Sequence, residues 1–221
     1  MRAQLELRRG RLAEGEHPLG WKLGFGAPAS LERLALAAPL VGFLLRGSLV
    51  ADGGTVSVDG WRQPVAEPEL AVHLVEDVLP GAPREAVAAA IGALGPAIEL
   101  ADVNREPDDV EEILTANIFQ RRVVLGRPDA SRAGGSTKGL TGRVLLSGRE
   151  VGATDEVEAL TGNVVGLVGH VADVLAPFGE EVRAGEVVIA GAILPPLEAA
   201  PGDEIRFELA TLGGVAVRLA P

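Results

Sequence analysis

Two hydrophobic rhythms run through the chain, a period near 3.6 read as helix and a period of two read as strand. Helices are expected over Arg2–Glu14, which is polar, and over Pro28–Ala37, where Pro28 stands near the start and Leu31, Leu34 and Ala35 share a face. Strands are expected over Gly20–Gly26, and over Val41–Val50 and Thr55–Val58 around the turn Asp52-Gly53-Gly54. Pro64–Val78 alternates, with Ala66, Pro68, Leu70, Val72 and Leu74 on one face and Glu67, Glu69, Ala71 and His73 on the other. Pro83–Leu94 reads as a helix stopped by Gly95-Pro96, and Ala97–Val103 as a strand. Pro107–Asn117 reads as a helix with acidic residues in its first turn, where the helix dipole favours carboxylates. The acidic run Glu106 to Glu112 is then a solvated helix start. Arg121–Leu125 and Gly142–Ser147 read as strands and Asp155–Leu175 as the longest helix. Glu186–Leu194, Asp203–Leu209 and Val215–Leu219 close the chain as strands. Strands outnumber helices and the two do not alternate strictly, so the expected fold class is α+β, a mixed, mainly antiparallel sheet or roll with a few flanking helices.

Composition narrows the function. A chain of 221 residues, 47% apolar and 23% charged, suits one domain with a sizeable core. A net charge of -11 disfavours nucleic acid and anionic membrane surfaces as partners, but not a small anionic substrate beside a bound cation. The absence of cysteine excludes thiolate metal sites and a cysteine nucleophile. The start carries no apolar signal core, and no stretch reaches the roughly 20 apolar residues of a membrane span. A cytoplasmic protein is therefore expected. Lysine occurs only at Lys22 and Lys138, every other cation being arginine. Lys22, wedged among Trp21, Leu23 and Phe25, is a candidate for a task arginine cannot do, because an ammonium can give up its proton.

The alternating segment carries the clearest chemistry. Residues two apart on a strand share a face, so Glu67 and Glu69 stand side by side, about 7 Å apart at the backbone. Their flanks are apolar, and buried like charges are costly without a counter-ion. A third carboxylate, Glu99, lies in the apolar stretch Pro96-Ala97-Ile98-Glu99-Leu100. Three carboxylates without a thiolate suit a hard divalent cation, Mg2+ or Mn2+ ahead of Ca2+. The common alternative for alternate glutamates on a strand is a solvated outer face.

Several segments, in order, resemble one family. Gln63-Pro64-Val65-Ala66-Glu67-Pro68-Glu69 resembles the Q-P-x-x-E-x-E segment of the 2-keto-4-pentenoate hydratase and 4-oxalocrotonate decarboxylase family, within the fumarylacetoacetate hydrolase superfamily. Pro96-Ala97-Ile98-Glu99-Leu100-Ala101-Asp102 resembles its P-A-x-E-x-x-D segment, and Gly20-Trp21-Lys22-Leu23-Gly24 its G-x-K-x-G motif. Thr115-Ala116-Asn117, Gly185–Ala192, Pro201-Gly202-Asp203 and Leu212-Gly213-Gly214-Val215 resemble later segments. The resemblance implies a short helical segment over residues 1–19 and a catalytic domain of β-roll type over residues 20–221. It implies a catalytic cation held by Glu67, Glu69 and Glu99, Lys22 at the substrate, and Asn117 as a substrate-binding candidate. It also implies a homo-oligomer and association between hydratase and decarboxylase. The departures fall elsewhere. Where the hydratases carry P-D-F-G, this chain has Pro39-Leu40-Val41-Gly42, with Leu40 at the Asp that is thought to work with the lysine. The A-D-N-A-S-x-G stretch has become Ala116-Asn117-Ile118-Phe119-Gln120-Arg121.

The expected activity is thus a metal-dependent lyase acting on a small 2-oxo or 2-hydroxy acid, a hydratase or a decarboxylase. His73 shares the glutamate face and is a second candidate acid or base, although such a histidine more often belongs to core or rim. Another carboxylate, such as Asp102 or Glu76, is a candidate to reach the pocket and replace the missing Asp. Two alternatives remain: a partner subunit that keeps the cation without turnover, and a nicotinamide-dependent oxidoreductase suggested by Gly24-Phe25-Gly26-Ala27-Pro28-Ala29.

Overall fold

A computed structural model describes residues 1–105 and 107–221; Glu106, the first residue of the acidic run, lies outside them. Two mixed, mainly antiparallel sheets carry the fold, which is α+β. The larger has eight strands. Seven follow the order β2 (Leu40–Leu45), β1 (Pro18–Gly24), β10 (Val187–Ala192), β5 (Pro64–Leu74), β6 (Ile91–Asp102), β7 (Gln120–Leu125) and β3 (Leu49–Val50), and β11 (Leu197–Glu198) pairs the start of β5. The smaller has the order β4 (Thr55–Ser57), β13 (Gly213–Ala220), β12 (Glu204–Ala210), β8 (Thr141–Leu146) and β9 (Arg149–Thr154). The helices are α1 (Arg2–Ala13), α2 (Pro28–Arg33), α3 (Arg84–Ala90), α4 (Val110–Thr115) and α5 (Val164–Leu175). No helix among the described residues is long and apolar enough to cross a membrane.

One large core joins both sheets to α3 and α5, through residues such as Leu70, Leu94, Ile98, Val168, Val171, Phe207 and Val217. The other face of the large sheet holds a smaller cluster of Leu19, Leu44, Ala71, Ala97, Val123, Val187 and Ile189. A third cluster packs Leu34, Leu40, Ala101, Ile113, Ile118 and Phe119 between α2, β2, β6 and α4. With apolar packing on both of its faces, the middle of the large sheet is dry, and β5 and β6 are its longest strands.

The departures from the sequence expectation have local causes. The 3.6-residue spacing of Val87, Ile91 and Leu94 continues past the true helix end at Ala90. Ile91 already belongs to β6, whose antiparallel ladder with β5 runs to Leu74↔Ile91. The expected helix 155–175 starts only at Val164: Gly162 has φ +92, and Asn163 caps the helix by accepting from the Gly166 N–H at 3.3 Å. Asp109 caps α4 in the same way, accepting from the N–H groups of Glu111 and Glu112. Strand β9 went unpredicted. It pairs β8 across Ser147-Gly148, a two-residue turn with positive φ at both positions, which favours the strand twist. The glycine-rich stretch after β1 does not open a dinucleotide fold. It leads into the six-residue α2, and the next strand, β2, runs antiparallel to β1, where the nucleotide fold needs a parallel return.

Replacing Asn163 with alanine should remove the α5 cap and lower unfolding stability by about 1 kcal/mol. Urea denaturation reads this, and an unchanged midpoint would show that the Glu158 carboxylate, which accepts from the Val164 N–H at 2.9 Å, suffices alone.

Candidate active site

The sheet brings three glutamates and a lysine to one point. Glu67 and Glu99 are direct cross-strand partners on β5 and β6, and Glu69 follows two residues along β5 on the same face. One carboxylate oxygen from each lies within 4.8 Å of the others. Lys22 arrives from β1 two strands away, with its Nζ bonded to Glu99 Oε1 and 3.5 Å from the Ile118 carbonyl. Glu69 and Glu99 are fully buried and Lys22 is 2% exposed.

Each position is enforced by backbone. Gly191, at φ +90 in β10, donates its N–H to Glu69 Oε2 at 2.7 Å. Gly42 on β2 faces the lysine stem: a Cβ there would sit 2.8 Å from Lys22 Cγ and 3.1 Å from Asn117 Oδ1. Asn117, Ile118 and Phe119 all hold positive φ, an uncommon backbone for non-glycine residues and most costly for the β-branched Ile118. The Asn117 side chain clamps that turn. Its Oδ1 accepts from the Phe43 N–H at 2.9 Å and from Gln4 Nε2 at 3.0 Å, and its Nδ2 donates to the Phe43 carbonyl at 2.9 Å.

Burial and mutual charge decide the protonation states. Burial raises the Glu67 carboxyl above its usual range, with Lys22 opposing. Glu69 is pushed well above, first by burial and then by the charges of Glu99 and Glu67, against the pull of Lys22 and the Gly191 N–H. Glu99 rises to about 7 for the same first reason, despite its contact with Lys22. Burial pulls Lys22 down, but its three carboxylate neighbours outweigh that and leave it raised. Glu69 Oε1 and Glu99 Oε2 are buried with no hydrogen-bond partner. Two orphaned, buried carboxylate oxygens within 4.8 Å of a third carboxylate are a donor set that fits a hard divalent ion, whose bonds run about 2.0–2.6 Å.

Lys22 and Glu67 open onto a cleft of ≈ 160 Å³ between the Gly24–Ala27 turn, Phe119, Thr161 and the Gly191 bend. Its remaining walls are largely apolar. Other candidates are placed as follows. His73 shares the glutamate face but lies four residues beyond Glu69, about 13 Å along the strand, with Nε2 unpartnered and its pKa lowered by burial. Asn117 has its Oδ1 taken by Phe43 and Gln4 and donates from Nδ2 to the Phe43 carbonyl, so its side chain faces the clamp. Leu40 packs with Ile118 and Phe119 beside the cleft. Neither Asp102 nor Glu76 fills the Asp position. Asp102 is spent on Arg121 and on the N–H groups of Arg62 and Gln63, and Glu76 is exposed beyond the end of β5. Sequence reasoning missed the Ile118 carbonyl, the Gly42 gap and Gln4. Gly42 had a signal, as a glycine inside an apolar strand, which often marks close approach. Gln4, in a polar helix, had none.

The fold is shared with a solved structure described as a putative fumarylacetoacetate hydrolase family protein from Yersinia pestis CO92, at a TM-score of 0.69 and 18% identity over 92% of this chain and 94% of that one. No family model matches the chain. It is 29% identical to 4-oxalocrotonate decarboxylase of Pseudomonas putida over 97% of this chain and 82% of that protein. It is 28% identical to 2-hydroxyhexa-2,4-dienoate hydratase of Comamonas testosteroni over 97% and 83%. The solved structure of 4-oxalocrotonate decarboxylase from Pseudomonas putida G7, complexed with magnesium and adipate, superposes with a TM-score of 0.89 at 28% identity, covering 98% of this chain and 83% of that one. Relatives named 4-oxalocrotonate decarboxylase and 2-keto-4-pentenoate hydratase thus match most of the chain at about 28% identity, in line with the resemblance of its motifs.

The raised carboxyls set a pH dependence for the metal-free protein. Glu99 goes from 4.5 to about 7 on folding, so the folded chain keeps a proton that the unfolded chain has lost. The associated stability is complete below 4.5 and is lost as pH climbs through about 7. Thermal unfolding in chelator should therefore show a falling midpoint across that window. Glu69→Gln, which removes one of the repelling charges, should flatten the fall and raise the midpoint at pH 8. A Glu69→Gln protein less stable than wild type at pH 8 without metal would show that repulsion does not govern the site.

Proposed function

We propose that this chain is a divalent-metal-dependent lyase for small 2-oxo or 2-hydroxy acids, of the hydratase or decarboxylase type. The observation that carries the reading is the convergence of Glu67, Glu69 and Glu99 beside Lys22 at the floor of a cleft. The named relatives, a decarboxylase and a hydratase, and the magnesium held by the solved decarboxylase support it. Glu67, Glu69 and Glu99 would hold Mg2+ or Mn2+, the ions their oxygen set suits. A bound cation would supply Lewis acidity to the carboxylate and C2 oxygens of such an acid. Lys22 binds the same end of the acid by its charge and supplies a proton at the C2 oxygen. Asn117 acts without touching the substrate, by holding the turn that aims the Ile118 carbonyl at Lys22. Homo-oligomeric assembly, pairing with a companion hydratase or decarboxylase, and a cytoplasmic location belong to the same proposal.

Hydration and decarboxylation part company at the cleft wall. Hydration needs a group that positions or deprotonates water. Leu40, buried behind that wall with Ile118 and Phe119, provides none, and the two residues that do line it are apolar. Decarboxylation needs no such group and gains from a dry site, where charges interact more strongly. The same substitution favours a second reading, a metal-binding partner subunit without turnover of its own.

Calorimetry tests the shared reading. Wild type should bind oxalate only with Mg2+ present. Lys22→Met should keep the ion and weaken oxalate about tenfold or more, the loss of a charge-assisted contact. Equal oxalate affinity in both proteins would remove Lys22 from the substrate site. Turnover tests the division: with Mg2+, oxaloacetate decarboxylation should exceed hydration of 2-hydroxypenta-2,4-dienoate, and Leu40→Asp should raise hydration. Brisk hydration by wild type that Leu40→Asp leaves unchanged would dismiss the role given to the wall. No turnover of any such acid, with oxalate binding intact, would select the partner-subunit reading.

A further inference from the structure

Helix α1 buries three residues, Gln4, Leu5 and Arg8. Gln4 and Arg8 lie one turn apart on the same face. Arg8 stacks over the Trp21 ring at 4.6 Å and pairs with Glu180 at 2.7 Å. Trp21 in turn donates Nε1–H to Glu186 at 3.0 Å. These contacts fix the helix over β1, next to Lys22 in sequence. They would hold α1 in place without any help from Gln4.

Gln4 is 1% exposed, although it has no need to be a polar residue for packing. Its Oε1 is buried with no partner, a cost that an apolar side chain of the same length would avoid. What the amide gains is one contact: Nε2–H to Asn117 Oδ1 at 3.0 Å. That oxygen also accepts from the Phe43 N–H, and it stands where Gly42 leaves room beside the Lys22 stem. Asn117 begins the positive-φ turn whose next residue, Ile118, directs its carbonyl at Lys22 Nζ. A continuous chain of contacts thus runs from α1 to the ammonium at the site: Gln4, Asn117, the Ile118 carbonyl, Lys22.

We propose that Gln4 is a positioning residue for Lys22, acting through Asn117 and the Ile118 carbonyl, so that helix α1 is a working part of the active site. This rests on the substrate role proposed for Lys22. Gln4 touches neither the cleft nor the glutamates. It therefore sets the affinity and turnover of the acid and not the affinity of the ion.

The test is a double-mutant cycle, read by calorimetry with Mg2+ and oxalate. Gln4→Met keeps the length and removes the donor. It should leave Mg2+ affinity unchanged and weaken oxalate about three- to tenfold, the range of one hydrogen bond. Added to Lys22→Met it should cause no further loss, because its effect passes through the lysine. Unchanged oxalate affinity in Gln4→Met, or a loss that adds in full to that of Lys22→Met, would overturn the proposal. So would a parallel loss of Mg2+ affinity, the mark of a merely structural role. Should Gln4→Met not fold, Asn117→Ser breaks the same chain one link nearer the lysine and must show the same non-additivity. Wild type that binds no oxalate with Mg2+ present would instead sink the substrate role of the lysine, and this inference with it.

Discussion

Two buried carboxylates and a half-buried third share one ammonium, and most of the fold answers to that constraint. Glu67 and Glu99 face each other across a β ladder, where like charges repel, and Glu69 adds a third on the same face. Lys22 offsets only one of the three. Burial first, and the excess negative charge after it, raise the carboxyl pKa values, and two oxygens are left without partners. A chain does not keep so costly a cluster for stability, because an apolar set of similar volume would pack there more favourably. Rigid surroundings keep it from relaxing into solvent. β5 and β6 are the longest strands, paired from Pro64↔Asp102 to Leu74↔Ile91, and both faces of the sheet carry apolar clusters. The strain stored in the metal-free site is what a divalent ion would relieve.

The glutamate cluster was legible because strand alternation is short-range. The spacing of Glu67 and Glu69 fixes their common face without knowledge of the fold, and the apolar flanks of Glu99 imply its burial. Their convergence needed the β5–β6 register, which the family resemblance implied and periodicity did not. The fold class was legible from the sparse, non-alternating helices. The failures came where two signals competed. Val87, Ile91 and Leu94 keep a helical spacing into what is β6, because a buried strand and a buried helix look alike over so short a run. The start of α5 depended on Asn163 and Gly162, a cap signal outvoted by the apolar and acidic residues before it. Lys22 was legible through its rarity among arginines. Gln4 was not: a glutamine in a polar helix is ordinarily solvated, and its burial comes from where the turn at Asn117 lies in space.

The cleft has two parts of different origin. Its floor is built from the paired centre of the sheet, β5, β6 and β10, with Lys22 from β1. There Lys22, Glu67, Glu69 and Glu99 stand in the motifs that resemble the family, and Ala190 on β10 is the departure, where the resembled motif has threonine. Its wall is built from the ends of elements: the start of β2, the turn after β1, and the positive-φ segment after α4. There Ile118 and Phe119 depart from the family pattern, as do Leu40 and Ala116 packed behind them. This division has a physical reason. A substitution in the floor disturbs a ladder locked on both sides and leaves a buried charge uncompensated. A substitution in the wall trades one side chain for another at the edge of a cavity, where packing adjusts more easily.

That asymmetry bears on what the site does. Under the proposed function, the floor would supply what every reaction of such 2-oxo acids shares, a place for the carboxylate and C2 oxygen and a sink for charge. The wall would then supply what distinguishes them, by admitting or excluding water or a second polar group at the far carbons. In this chain the wall has exchanged polar for apolar side chains while the clamp at Asn117 survived. The clamp belongs to the floor's logic, since it acts on Lys22, and the apolar residues that surround it, Ile118 and Phe119, belong to the wall's. One short segment with three left-handed residues therefore serves both parts, its side chains drying the cleft while its backbone holds the lysine. That double duty gives the strained turn a physical reason: the strain at Ile118 is the cost of turning a carbonyl toward Lys22 and a β-branched side chain toward the cleft at once.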